Sequence, residues 1–78
     1  MKNINITVIA GSWAKRFINE ETVRLSLKDY ANISDALVAL GIPLNEIGLT
    51  AIDGKAVPRE TKLRDGDRIR IFPVIVEG

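Results

Sequence analysis

One stretch of this chain repeats its apolar residues at helical spacing, and it is short. In "NISDALVALGIP", Ile33, Ala36, Leu37 and Leu40 fall on one face of a helix of about two turns. Asn32 is placed to accept a hydrogen bond from an orphan amide, and Asp35, three residues on, completes a capping box. Gly41 and Pro43 close the segment. A helix of this length does not persist alone in water, so its apolar stripe must be covered by other elements.

Those elements alternate with period two. "INITVIA" puts Ile4, Ile6 and Val8 on one face, and "TVRLSLK" puts Val23, Leu25 and Leu27 on one face with Arg24, Ser26 and Lys28 opposite. Between them Gly11-Ser12 breaks the strand, with Ser12 as a candidate cap for one helical turn over Trp13 to Phe17. The two strands are expected to pair as a hairpin with a long connection. After the helix, Asp53-Gly54 between short apolar runs signals a tight hairpin, and "LRDGD" signals a second turn in which Asp65 and Asp67 serve the backbone. "RIRIFPVIV" then alternates Arg68 and Arg70 outward with Ile69 and Ile71 inward. As the longest and most apolar strand, it is expected at the centre of the sheet.

The order strand, strand, helix, short strands, long strand implies a single α+β domain over 1–78. In it the last strand lies parallel to the first with the helix in the crossover, a β-grasp roll of four to five strands on one helix. The expected core is Ile6, Val8, Val23, Leu25, Ala36, Leu37, Leu40, Ile69 and Ile71. Trp13 and Phe17 are assigned to the core edge, and Tyr30 to a staple at the helix start.

Composition excludes several functions. The 78 residues contain no cysteine and no histidine, so there is no disulfide, no soft-metal ligand set and no usual neutral-pH base, and no metal or cofactor is expected. Cysteine-free composition fits a reducing cytoplasm. No apolar run approaches the length of a membrane span or a signal peptide. Eleven basic and ten acidic residues give a net charge of +1 with the signs interspersed, and the basic stretch "RETKLRDGDRIR" is interrupted by Glu60, Asp65 and Asp67. Nucleic acid is not an expected partner. Arg59, Lys62, Arg64, Arg68 and Arg70 read as solvated charge able to steer an acidic partner.

The C-terminal half, "GLTAIDGKAVPRETKLRDGDRIRIFPVIVEG", resembles the small ubiquitin-like sulfur carriers of the MoaD/ThiS family. That family has a strand, a short hairpin, a "VPR"-like stretch, an "L-x-x-GD" turn, an alternating strand and an apolar tail ending in two glycines. "NISDALVALGI" and "NINITVIAG" are similar to the family's helix and first strand, so the resemblance covers nearly the whole chain and is weakest over 11–21. It implies a carrier and not an enzyme, with no catalytic residues of its own. An adenylating enzyme of the ThiF/MoeB type activates the Gly78 carboxylate, sulfur replaces AMP, and a sulfur-accepting synthase of thiamine or molybdopterin biosynthesis receives it. The tail would be Pro73, Val74, Ile75, Val76, Glu77 and Gly78, with a reach of about 20 Å.

Strand phase turns Phe72 outward with Arg70 and Arg68, which makes these three the expected partner surface beside the tail. Glu77 departs from the family pattern, which has glycine there. A charged side chain next to the reacting carboxylate needs a matching cation in the partner's channel, or else marks a ubiquitin-like binding module without carrier chemistry.

Overall fold

The computed structural model describes residues 2–75. Strand β1 (Asn3–Ile9) pairs antiparallel with β2 (Thr22–Lys28) through a full seven-residue register from Asn3–Lys28 to Ile9–Thr22. Helix α1 (Ile33–Leu40) follows, then β3 (Ile47–Ile52), β4 (Lys55–Ala56) and β5 (Arg68–Pro73). The strands form one mixed sheet in the order β2-β1-β5-β3-β4, with β5 parallel to β1 and antiparallel to β3. This is the expected β-grasp arrangement. β5 is central, as expected, but at six residues it is shorter than β1 and β2; Pro73, assigned to the tail, is its last residue.

The local signals act as the sequence implies. Asn32 Oδ1 accepts from the Asp35 amide at 2.9 Å, and Asp35 Oδ2 accepts from the Asn32 amide at 2.9 Å. At the other end Gly41 adopts a left-handed φ of 78°. Its N–H and that of Ile42 reach back to the carbonyls of Val38 and Leu37 at 3.0 Å, so the last turn leaves few carbonyls unpaired. Asp53 (φ 53°) and Gly54 (φ 79°) both take the positive φ that a two-residue hairpin needs.

The core lies between α1 and the inner face of the sheet. Val8, Ile33, Ala36, Leu37 and Ile69 are completely buried there, with Ile6, Ile42, Leu63 and Ile71 nearly so. Val23 and Leu25 face the core but are only half-buried, because β2 is an edge strand with cover from one side; Leu40 is likewise half-buried. Ala14 and Ile18, from the connection between β1 and β2, fill the core beyond the helix, and Trp13 and Phe17 pack on its edge as expected.

Three further expectations are corrected. Ser12 does not cap the Ser12–Arg16 3-10 helix; Gly11 precedes that turn and no side chain caps it. Tyr30 is 68% exposed and staples nothing, because the residue preceding the cap is Ala31, which is buried. Arg59 is not free surface charge: its Nη1 donates to the Leu44 carbonyl at 2.7 Å and holds the short 3-10 helix Leu44–Glu46 against the loop after β4.

Candidate functional site

Helix α1 covers one face of the sheet and leaves the other open. On β5 the side chains alternate without exception: Ile69 and Ile71 are buried, while Arg68, Arg70 and Phe72 stand on the open face. Strand register assembles their neighbours. Thr7 pairs with Arg24 on one side and Arg68 on the other, so two guanidinium-bearing residues flank it at a Cα separation of about 10 Å. Ile9 pairs with Arg70, and Phe72 pairs with Leu49 of β3.

The result is a face with two zones. Asn5, Thr7, Arg24, Ser26 and Arg68 line a shallow open depression at the end where β5 begins. At the other end Leu49 (47% exposed), Phe72 (43%) and Val74 (46%) form an apolar patch that runs into Ile75 (86%). Strand alternation puts Lys28 and Arg24 of β2 and Arg68 and Arg70 of β5 on this face, with no carboxylate among the strand residues that share it. The ion pairs among the described residues lie elsewhere, Lys15–Glu21 at 3.6 Å and Arg16–Glu46 at 3.0 Å. A net charge near neutral therefore hides a cationic face; strand phase alone turns each of these residues outward, but only the strand order brings those of β2 and β5 onto one surface.

The root of the tail is tied down. Pro73 has no N–H to give the ladder, and the next donor, the Val74 amide, bonds the Glu46 carbonyl at 2.9 Å. The register with β3 slips by one residue between Ile47 and Leu49, a bulge that leaves Gly48 unpaired beside Pro73. Of the expected tail, Val74 and Ile75 are exposed, while Val76, Glu77 and Gly78 lie outside the described residues.

Asp65 and Asp67 serve the backbone, as their turn setting implies. Asp65 Oδ1 accepts from the Asn5 amide at 2.7 Å and Asp67 Oδ2 from the Arg64 amide at 2.8 Å, so the turn is stitched to β1. Lys62 and Arg64 are exposed and lie in the connection between β4 and β5, outside the strands that make up the open face. No cluster of three potential metal ligands and no helix long and apolar enough to cross a membrane occurs among the described residues. Leu49, Arg24 and Gly48 were absent from the site read from sequence. Arg24 carries the same period-two signal as Phe72. Leu49 does not, because β3 buries Thr50 and exposes Leu49 across its bulge, and only the register with β5 shows that Leu49 stands beside Phe72.

A family model described as Mut7-C ubiquitin matches residues 13–77 and so runs through β5 as far as Glu77. Small archaeal modifier protein 1 of H. volcanii is 20% identical over 92% of this chain and 99% of its own, with a TM-score of 0.75. The Haloferax volcanii HVO 2177 protein is 18% identical over 97% and 88%, with a TM-score of 0.78. A putative molybdopterin converting factor, subunit 1, from Pyrococcus furiosus is 15% identical over 92% and 99%, with a TM-score of 0.74. At these identities the likeness establishes a common fold. No curated protein matches the chain by sequence.

Proposed function

The chain belongs to the Mut7-C ubiquitin family, and from that membership and the geometry at the end of β5 we propose that it is a ubiquitin-like sulfur carrier acting in the cytoplasm. The observation that carries the reading is the position of β5. The central strand runs from a cationic zone past an exposed apolar pair, Leu49 and Phe72, to Pro73, beyond which Val74 and Ile75 are exposed. In this reading the surface that a partner grips leads along one strand to the root of the tail that it draws in. The shared fold with a protein described as a putative molybdopterin converting factor subunit supports the same reading.

In this function the Gly78 carboxylate attacks the α-phosphate of ATP on an adenylating enzyme of the ThiF/MoeB type, which releases pyrophosphate. Hydrosulfide then attacks the acyl carbon and displaces AMP, leaving a thiocarboxylate that is handed to a synthase of thiamine or of a molybdopterin-type or tungstopterin cofactor. The chain itself contributes no acid, base or metal; it contributes the docking face and the carboxylate. Phe72 and Leu49 are the apolar anchors, and Arg24, Arg68 and Arg70 orient an acidic partner surface and raise its association rate. Glycine at position 78 leaves the carboxylate unhindered.

Glu77 favours a second reading, a ubiquitin-like binding module without transfer chemistry, because a carboxylate side chain beside the reacting one must be desolvated in a narrow channel. Intact mass after incubation with ATP, a sulfur donor and the source organism's adenylating enzyme separates the two. The carrier gains the mass of one oxygen replaced by sulfur and loses that capacity when Gly78 is deleted. An unmodified wild type alongside a readily modified Glu77→Gly variant establishes the binding module.

A further inference from the structure

Gly48 is a glycine for reasons of space. Its φ lies outside the left-handed region, so no turn demands it, and the residue is exposed, so no core does. A Cβ at this position would stand 3.0 Å from the Pro73 carbonyl oxygen, 3.1 Å from Val74 Cα and 3.3 Å from the Pro73 carbonyl carbon. All three are backbone atoms of the tail root, so no side-chain rotation relieves the contact. Two residues away the Val74 amide donates to Glu46, whose side chain is itself held by Arg16 at 3.0 Å. The bare backbone of Gly48 and the carbonyl of Glu46 thus grip the same two residues, Pro73 and Val74, where β5 gives way to the tail.

We propose that Glu46 and Gly48 form a clip that fixes where and in which direction the tail leaves the domain, and that Gly48 is a positioning residue for delivery of the C-terminal carboxylate; the delivery role rests on the carrier reading above. The clip limits the reach. With Val74 held, the residues that follow, Ile75 to Gly78, span at most about 14 Å, not the 20 Å of a tail beginning at Pro73. A partner that accepts this carboxylate therefore has its reacting centre within about 14 Å of the point where it contacts Val74, Phe72 and Leu49. Its channel is short and opens beside its apolar socket. Orientation of this kind is worth large factors in rate, because a misplacement of about 1 Å costs on the order of a hundredfold.

Gly48→Ala and Gly48→Val test the clip in the full-length protein. Amide hydrogen exchange at Val74 should accelerate by about tenfold or more while the α1 and β1 amides keep their protection. Adenylation of the same variants by the source organism's activating enzyme with ATP should lose about tenfold or more in kcat with KM for the carrier unchanged, since the Leu49–Phe72 surface is untouched. If Gly48→Val does not fold, Val74→Pro removes the hydrogen bond to Glu46 from the tail side; its kcat should fall by a like factor, and its KM should rise as well because Val74 belongs to the apolar patch. Unchanged exchange at Val74 overturns the clip. Faster exchange with an unchanged kcat, or a loss confined to KM, overturns the positioning role. A wild type that the enzyme does not modify overturns the carrier reading and the delivery role together, whereas the exchange of Val74 still decides whether the clip exists.

Discussion

Leu49 on β3 lies directly opposite Phe72 on β5, and both side chains point away from the helix, 47% and 43% exposed. A protein that used this pair only to hold its sheet together would gain little from it, because half of each side chain remains in water. Cross-strand pairs of this kind contribute roughly 0.2–1 kcal/mol. The place of the pair beside the tail root is what makes it the proposed docking anchor.

Phe72→Ala is therefore expected to leave the fold nearly as stable, with a loss of about 1 kcal/mol or less in urea unfolding. Affinity for a partner that grips the open face should fall by more than about 1 kcal/mol in calorimetric titration. Unfolding of the variant at room temperature would assign Phe72 to the core instead.

Leu37 behaves oppositely. It is completely buried in one core with Ile33 and Ile69, and Leu37→Ala should cost about 2–5 kcal/mol, since the residues of that core are fixed by their own elements and close a cavity only in part. The urea midpoint should fall with an unchanged slope; a midpoint equal to wild type would contradict the packing described here.

The reciprocal bonds of Asn32 and Asp35 satisfy two backbone amides at once on an eight-residue helix. Asn32→Ala should cost about 1 kcal/mol, and adding Asp35→Ala should cost less than the sum of the two single losses, because both act on one motif. Strict additivity in thermal unfolding would show that the two residues act separately.

Reversing charge at both Arg24 and Arg68, the two residues that flank Thr7, should slow association with an acidic partner by about tenfold or more at low salt. The difference should shrink as salt is raised. Stopped-flow association rates at several ionic strengths check this, and a rate indifferent to both the substitutions and the salt would remove the cationic zone from the docking surface.

Much of the fold was legible in residues that act on near neighbours. The Asn32–Asp35 box, the Gly41 ending, the Asp53-Gly54 hairpin and the alternation along β1, β2 and β5 each depend on contacts or periods spanning a few positions, so the amino-acid order alone specifies them. The outward phase of Arg68, Arg70 and Phe72 was legible for the same reason. What the sequence could not declare was which distant residues these would meet. Asp65 bonds the amide of Asn5 sixty positions away, and Arg59 reaches the carbonyl of Leu44. Ala31, not Tyr30, turns into the core. Strand order alone makes Leu49 the neighbour of Phe72, puts Arg24 and Arg68 on either side of one threonine, and presses Gly48 against the backbone of Pro73 and Val74. Periodicity assigns a side chain to a face, but the neighbours on that face come from loop closures over tens of residues, whose pairing is settled by burying one common core.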